Sequence, residues 1–504
     1  MRQLTSLDAQ FLAMETPRTV GHVSGLAILD PSTAPGGRLG VEDICGLLSD
    51  RLHLLPPFRW RLATVPFDLD LPFWIEDPDF DLDFHVREIG LPAPGDRRQL
   101  AEQVARIVSR PLDRAHPLWE LYVIHGLENG RVALLTKIHH AAVDGMSGAE
   151  IMGILFDTER EGRELPAPTG ESTGERVPGQ LELLGRGLLG LPRPLRALSV
   201  LPAALPRLDS IPVVGAMPGA LPVSRVFTRI ARLGRGTKDG GVLERTNVRA
   251  PRTRFNARIS PHRRFAFASL PLDRVKAIKN AAGVTVNDTI VAICAGAMRA
   301  WLEERGELPP ERLVSMVPVS VRSREEMGTF GNRVSTMFVP IPTDESDPRA
   351  RLQRAHEILL TAKERHRALP ADLMIDSSQF IPPALAARAA RVTFEVLSSS
   401  RVAPALNLVI SNVPGPREPL YCAGARLEAN FPVSVILHGV GLNITCLSYL
   451  DQVDFGIVVD RDQVDDAWSI IAAIETALAE LDAAVCGAEP AADPAPTPAA
   501  PSSR

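Results

Sequence analysis

The sequence has little of what marks secreted, membrane-spanning or nucleic-acid-binding proteins. Its 504 residues contain five scattered cysteines and no C-x-x-C pair, which argues against both a disulfide framework and a zinc site. No uninterrupted apolar stretch reaches the ~18 residues of a spanning helix, and the first residues lack the apolar core of a signal peptide. With 55 Lys and Arg against 60 Asp and Glu, the net charge of -5 argues against binding to nucleic acid. We therefore expect a cytoplasmic, globular protein.

Hydrophobic residues make up 45% of the chain, and their spacing predicts two α/β domains with ample cores. In the first domain, 1–160, strand patterns at 19–29 and 131–138 alternate with helix patterns at 41–54 and from Gly148. The second domain, 261–486, has helix patterns at 272–282, 284–305, 347–368 and 465–481, and strand patterns at 265–272, 313–322, 333–342, 406–416, 433–451 and 453–460.

Residues 161–260 between these domains have a different composition. A polar linker precedes a Leu-, Pro- and Arg-rich segment, 181–233, whose prolines keep any helix short. Two interpretations of 181–233 stay open: a crossover that wraps around the body, or a basic and apolar patch that touches a lipid surface. The last residues, 487–504, are of low complexity, and we expect them to be disordered.

Two matches to known motifs fail on their context. The string GESTG at 170–174 matches a nucleophile elbow, but it lies in the polar linker without a flanking strand. The string GRGLLG at 185–190 matches a dinucleotide fingerprint, but the prolines that follow forbid the helix and second strand that this fingerprint requires. Neither match predicts a function.

The informative string is HHAAVDG at 139–145, which follows a predicted strand. Neutral imidazole is an effective general base near pH 7, and adjacent strand residues point to opposite faces. One of His139 and His140 can therefore face a cleft while the other packs inward. Asp144 can orient the turn, and Gly145 removes a side chain where a substrate must come close. A purely structural interpretation is a pair of buried histidines before a helix that Asp144 caps.

As a metal site the same string is weak. No Glu follows His139 in an H-E-x-x-H arrangement, and no third ligand is evident. We therefore predict no metal.

The string HHAAVDG resembles the H-H-x-x-x-D-G motif of the coenzyme A-dependent acyltransferase superfamily, which includes chloramphenicol acetyltransferase and peptide-synthetase condensation domains. Further strings, in order along the chain, make it similar to the bacterial wax ester synthase/diacylglycerol acyltransferase family: LDAQFL at 7–12, PLWE at 117–120, Asn287-Asp288, and SNVPGP at 411–416. The correspondence runs from about residue 4 to 482. It implies an α/β fold of two chloramphenicol-acetyltransferase-like domains, each a mixed sheet flanked by helices, with the active site at their interface.

The resemblance also implies the reaction. A fatty acyl group passes from acyl-coenzyme A, a co-substrate rather than a cofactor, to diacylglycerol or to a long-chain alcohol, which gives triacylglycerol or a wax ester. His140 is then the general base, and no acyl-enzyme is required. Since both substrates partition into lipid, we expect peripheral contact with the inner face of the membrane or with lipid droplets.

Roles for other residues follow from the same resemblance. Asp144 holds its loop, and Arg59 or Arg61 is its expected partner. His139 packs or orients its neighbour. Asn287 is either an amide donor to the oxyanion or a cap of the helix that it begins.

Substrate contacts are expected from a second group of residues. Pro117, Leu118 and Trp119 suit an apolar wall beside the histidines, although such residues more often pack in a core. Asp288 either contacts substrate or caps the helix. The coenzyme A phosphates are assigned to Arg322, Arg324 and residues 331–333.

Two alternatives to this function stay open. A condensation-type or polyketide-linked acyltransferase shares the His-His-Asp motif but takes its acyl group from a carrier protein, and no carrier segment is visible in this sequence. A non-catalytic lipid-droplet scaffold is the other alternative, and it has no need of His140.

Overall fold

The computed structural model describes residues 1–66, 70–142, 148–166, 250–320, 334–367 and 403–487, together with residues 179, 182, 183 and 185. Its longer helices, numbered here in chain order, are α1 (Ser6–Met14), α2 (Val41–Arg51), α3 (Leu82–His85), α4 (Arg97–Val108), α5 (Gly148–Leu155), α6 (Leu272–Ala282), α7 (Val286–Glu304), α8 (Pro348–Arg367) and α9 (Trp468–Cys486).

The strands of the described residues form two six-stranded mixed sheets and one small sheet. The first large sheet, written in spatial order, contains β12 (Tyr421–Cys422), β13 (Ala425–Val433), β2 (His22–Asp30), β7 (Val132–His139), β6 (Trp119–His125) and β5 (Val86–Gly90). The second contains β10 (Val334–Pro340), β9 (Val314–Ser320), β11 (Leu408–Val413), β14 (Leu442–Tyr449), β15 (Gln452–Asp460) and β8 (Arg263–Pro271). The small sheet contains β1 (Arg2–Gln3), β4 (Phe73–Glu76) and β3 (Trp60–Ala63). The predicted α/β class with mixed sheets is confirmed.

Strand β13 links the two halves of the chain, because it lies late in the sequence yet pairs with β2 of the first sheet. The sequence analysis assigned no strand to 425–433, since Arg426, Glu428 and Pro432 interrupt its apolar pattern, and proline is unfavourable within a ladder. The predicted domain bounds of 1–160, 161–260, 261–486 and 487–504 stay a prediction. Because β12 and β13 come from the second half of the chain, the first sheet nevertheless contains strands of both halves.

The halves also share a hydrophobic core. Leu26 of β2, Phe431 of β13 and Phe267 of β8 belong to one buried cluster. The contact is close where β13 crosses β15, since a Cβ on Gly456 would lie 1.7 Å from the carbonyl oxygen of Pro432. The two halves are therefore joined by a continuous hydrophobic core.

Helix ends follow local capping chemistry. The predicted helix at 272–282 is confirmed as α6, and the glycine that follows, Gly283, has a φ of 68°, a conformation that glycine adopts without strain. Helix α7 begins at Val286, one residue before the Asn-Asp pair, because Thr285 and Asp288 form a capping box.

None of the described helices has, by itself, the length and apolar composition needed to cross a bilayer. The bent pair of α6 and α7 meets these two criteria jointly, with an angle of 104° between its members. Most of α7 is buried in the protein core.

Candidate active site

Strand β7, an inner strand of the first sheet, ends at the two histidines. His139 is the last residue of β7, and its backbone N–H donates to the carbonyl oxygen of Leu118 at 2.9 Å. The backbone N–H of His140 donates to the carbonyl oxygen of Gly21, also at 2.9 Å. Both backbones are thus held by neighbouring strands or their ends, so that the two side chains have defined positions.

His139 points inward, and its ring is held on both sides. Its side chain is only 1% exposed, and its Nδ1 accepts a hydrogen bond from the backbone N–H of Ala141 at 3.0 Å. Because Nδ1 accepts, the proton of the neutral ring lies on Nε2. That Nε2 is 3.4 Å from Oε1 of Glu15.

Glu15, at the end of α1, is the carboxylate of this site in the described part of the chain. It accepts from the backbone N–H of Gly21 at 2.8 Å and from Nη2 of Arg114 at 2.7 Å. Burial raises its pKa, but His139, Arg114 and the Gly21 N–H together outweigh burial and lower the pKa to about 2. Glu15 is therefore a carboxylate near neutral pH, and it contacts both His139 and the backbone N–H of Gly21, whose carbonyl oxygen accepts from His140.

His140 is the histidine that reaches a cavity. Its ring stacks on Phe11 with the centroids 4.3 Å apart and the planes within 5°. Burial is the main cause that lowers the pKa of His140 to about 4, and the neighbouring imidazole of His139 adds to this lowering. The ring is therefore neutral near pH 7, which is the form that a general base requires.

The cavity at His140 lies between the two halves of the chain. Its walls include Phe11, Met14 and Gly21 from the first half, and Val435 and Leu437 from the segment that follows β13. These walls are apolar, and apolar surroundings exclude water from the reacting groups. The surroundings of His140 therefore leave little room for water to compete with an acceptor hydroxyl.

Gly21 gives His139 its space, and this leads to a prediction. A Cβ on Gly21 would lie 2.5 Å from Nε2 of His139, a separation at which the imidazole must move. Gly21→Ala is expected to lower kcat by on the order of 10²-fold, because small displacements of catalytic groups carry costs of this size. Gly46→Ala on α2, where a Cβ meets nothing within 4 Å, is the control. Wild-type kcat in folded Gly21→Ala would contradict this positioning role.

Two predicted residues of the motif, Asp144 and Gly145, lie outside the described residues. Their roles stay predictions. Of the arginines expected to pair with Asp144, Arg59 lies with Nη2 2.6 Å from Glu76, and Arg61 lies with Nε 3.5 Å from Asp77. Arg322, Arg324 and residues 331–333 also lie outside the described part.

The Pro117-Leu118-Trp119 segment supports the histidines from within the core. All three residues are buried. The indole N–H of Trp119 donates to the carbonyl oxygen of Phe58 at 2.8 Å, and its ring stacks on Phe58 and His85. Leu118 accepts the backbone hydrogen bond of His139, but none of the three residues lies in the described wall of the His140 cavity. A direct contact with substrate therefore stays a prediction.

Asn287 and Asp288 lie in the first turn of α7. The carboxylate of Asp288 is buried, accepts from the Thr285 backbone N–H at 3.0 Å and lies 2.7 Å from Nδ1 of His356. These contacts make Asp288 part of the helix cap and of an α7–α8 contact. Asn287 is partly exposed and is not among the described residues that line the cavity at His140. Its donation to an oxyanion stays a prediction.

The sequence analysis missed Glu15, Gly21, Phe11 and Arg114. Phe11 lies within the LDAQFL string, but nothing in that string tells which ring it meets. The other three lie far from HHAAVDG in sequence and carry no local signal. Among the described residues, no group of three His, Cys, Asp or Glu side chains is arranged to hold a metal ion.

Comparison with known proteins identifies the family of this chain. Residues 4–290 match the model of the wax ester synthase/diacylglycerol acyltransferase catalytic domain, and residues 330–482 match that of the C-terminal domain of the same family. Two putative diacylglycerol O-acyltransferases of Mycobacterium tuberculosis are 36% and 37% identical, over 95% and 96% of this chain and 90% and 100% of their own lengths.

Solved structures show the same fold. The wax ester synthase/diacylglycerol acyltransferase from Marinobacter aquaeolei VT8 superposes with a TM-score of 0.66 at 29% identity, over 96% of this chain and 99% of its own. The first condensation domain of the CDA synthetase has a TM-score of 0.52 at 15% identity, over 96% of this chain and 97% of its own. At that identity the second similarity concerns the fold alone.

Proposed function

Because the chain belongs to the wax ester synthase/diacylglycerol acyltransferase family, and is therefore an acyl-coenzyme A-dependent acyltransferase, we propose that His140 is the general base that activates its acceptor hydroxyl. The observation that carries this proposal is the position of His140. It is a neutral imidazole at an apolar cavity to which both halves of the chain contribute.

The proposed reaction is a direct transfer. A nitrogen of His140 takes the proton of the acceptor hydroxyl while the hydroxyl oxygen forms a bond to the thioester carbonyl carbon. The carbonyl π electrons move to oxygen and give a tetrahedral oxyanion. When this intermediate collapses, the C–S bond breaks, the electron pair leaves with sulfur, and the imidazolium of His140 protonates the thiolate. His140 returns to its neutral form, so that one residue serves as base and then as acid.

Glu15 and His139 have a positioning role in this proposal. The carboxylate of Glu15 holds the Gly21 backbone, whose carbonyl oxygen accepts from the His140 N–H. His139 packs against Glu15 and Gly21, and its Nδ1 accepts a hydrogen bond from the backbone N–H of Ala141. Neither side chain needs to touch the substrate, since both act through the position of His140.

We propose diacylglycerol as the preferred acceptor, because the relatives with 36% and 37% identity carry that activity in their names. A long-chain alcohol is the second acceptor, as in the name of the Marinobacter protein. Both acceptors are lipids, so the proposal includes peripheral contact with the inner face of the membrane or with lipid droplets.

The test offers both acceptors in parallel. Purified protein with labelled palmitoyl-coenzyme A receives either dioleoylglycerol or hexadecanol in detergent or lipid. We expect labelled triacylglycerol to exceed labelled wax ester. If folded protein forms ester from neither acceptor, but does so once the acyl group is supplied on a carrier protein, the condensation-type alternative replaces this proposal.

The pKa of His140 predicts an unusual pH dependence. Its value of about 4, against an ordinary 6.5, means that the ring stays neutral as the pH falls from 7 to roughly 5. We expect kcat/KM to be level across that range and to fall only as the pH approaches 4. Because the folded pKa lies below the unfolded one, His140 also contributes stability above pH 6.5 that is lost as the pH falls through about 4.

Loss of folding must therefore be separated from protonation. Samples held at each pH and assayed after return to neutral pH report irreversible loss, and circular dichroism at each pH reports unfolding. An acid limb of kcat/KM centred near 6.5, in protein that remains folded, would contradict the lowered pKa of His140.

A further inference from the structure

A second concavity is much larger than the cavity at His140. It is a groove of about 750 Å³ that is lined by α4, by the start of β8 and by the turn before α9. Here it is called the arginine groove. Its walls include six arginines against three carboxylates: Arg98, Arg106, Arg110, Arg263, Arg264 and Arg461 against Glu102, Asp465 and Asp466.

Several of these arginines are available to an anion. Arg98, Arg110 and Arg264 are exposed, and none of them lies within ion-pair distance of a carboxylate in the described part of the chain. Arg106 meets Glu102 only at 3.4 Å, with both side chains more than 60% exposed, a kind of pair that contributes little stability. The six arginines of the groove outnumber its three carboxylates, so the groove keeps a net positive charge.

Arg263 lies at the inner end of the arginine groove and is buried. Its guanidinium donates to backbone carbonyl oxygens, those of Ser260 at 2.6 Å and of Arg18, and its backbone N–H donates to Oγ of Ser109. The residue that faces Arg263 across the β15–β8 ladder is the buried Asp460, whose attraction offsets part of this positive charge. Burial lowers the pKa of Arg263 to about 10, which leaves it fully charged at neutral pH.

Arg263 also lines a small cavity that leads toward His140. That cavity shares Arg263 with the arginine groove, and it shares Val20 and Val435 with the cavity at His140. The two inner cavities have volumes of about 10 and 30 Å³. A flexible ligand chain that passes through both cavities must push these valine side chains apart.

His22 presents an unused acceptor along this route. It lines the small cavity and is 3% exposed. Its Nε2 lies 3.0 Å from the carbonyl oxygen of Val108, so Nε2 donates and Nδ1 is a bare acceptor. That Nδ1 is buried and has no hydrogen-bond partner among the described residues. An amide N–H is the kind of group that would satisfy it.

We infer that the arginine groove binds the phosphates of acyl-coenzyme A, and that the pantetheine arm reaches His140 past Arg263 and His22. This inference rests on the proposed function for the identity of the donor. The positive charge of the groove suits the nucleotide end of coenzyme A, which carries a diphosphate and a 3′-phosphate. Arginine is well suited to phosphate because its planar fork donates two parallel hydrogen bonds. The amides of pantetheine meet the free acceptor of His22.

The test measures binding of coenzyme A, which needs no acyl transfer. The variant Arg110→Glu/Arg264→Glu reverses two exposed charges of the groove. Arg38→Glu/Arg354→Glu makes the same change in charge at two exposed arginines that do not line the groove. Isothermal titration calorimetry with coenzyme A is expected to show a Kd raised by on the order of tenfold or more in the first variant. The second variant is expected to bind like the wild type, and circular dichroism checks that both are folded.

A lipid phosphate is the other source of the same chemistry, and a second arm distinguishes it. Sedimentation with phosphatidylglycerol/phosphatidylcholine vesicles is expected to be equal for the two variants. Loss of vesicle binding in the groove variant with an unchanged Kd for coenzyme A would overturn the inference in favour of a headgroup site. Equal Kd values for coenzyme A in both variants would also overturn it. If both variants bind coenzyme A equally and the wild type forms ester, the inference about the groove fails and the proposed function stands. If the groove variant binds coenzyme A more weakly and the wild type forms no ester, the inference about the groove stands and the proposed function fails.

Discussion

Replacing His140 with alanine is expected to lower kcat by about 10²–10⁴-fold, the range that a positioned general base contributes. The substitution removes the only described imidazole that lines the cavity between the two halves. It leaves the backbone hydrogen bond to Gly21 in place, since that bond uses the main-chain N–H. We therefore expect loss of chemistry with little change in KM for acyl-coenzyme A.

The control for this variant is His125→Ala, at the end of β6, where the ring pairs with Glu88 at 2.8 Å outside the cavity. It is expected to keep wild-type kcat. Steady-state rates of triacylglycerol formation, with thermal melts of both variants, provide the measurement. A His140→Ala protein that retains more than about a tenth of the wild-type kcat would exclude His140 as the base. A scaffold protein would retain its lipid phenotype in the same variant.

The second large effect concerns stability and the support of α5, the helix that follows the histidine motif. Arg51 of α2 and Asp157, two residues after α5, form a buried ion pair in which Nη2 contacts Oδ2 at 2.5 Å and both side chains are at most 6% exposed. Arg51 also donates to the carbonyl oxygen of Ile154 in α5. Arg51→Met leaves the Asp157 carboxylate buried beside Arg163 alone, at 3.6 Å.

Removing one partner of a buried ion pair costs about 3–5 kcal/mol, because the other charge is left without compensation. We expect Arg51→Met to lower the free energy of unfolding by that amount, measured as a shift of the urea midpoint. The double variant Arg51→Met/Asp157→Leu removes both charges and should lose clearly less than the single variant. A double variant that is less stable than Arg51→Met would show that the pair is not the main source of the effect.

The parts of the fold that follow from local patterns were predictable. The strand at 131–138 is present as Val132–His139 because its apolar residues are buried on both faces. The helix at 272–282 has both its bounds as predicted, since a strand precedes it directly and a glycine ends it. Strand β13 was not predicted, because it is stabilised by pairing with β2 and by packing on β15 rather than by its own composition.

The candidate site was likewise predictable only in part. HHAAVDG identified the two histidines, since the motif is contiguous in sequence. The assignment of His140 to the cavity and of His139 to the interior needed the positions of Glu15 and Phe11, which approach from α1. The arginine groove is formed by α4, β8 and the turn before α9. Arginines so far apart in sequence form no charge run, so their joint field appears only in three dimensions.

Direct transfer without an acyl-enzyme is the central claim, and a rapid-quench experiment tests it most directly. The enzyme is mixed with an excess of palmitoyl-coenzyme A labelled in its acyl group, first without an acceptor and then with dioleoylglycerol. Free coenzyme A and protein-bound label are measured at each time. The account predicts no burst of coenzyme A and no bound label without acceptor, and equal amounts of coenzyme A and triacylglycerol once dioleoylglycerol is added. A burst of one coenzyme A per enzyme, with the label held covalently by the protein, would contradict it.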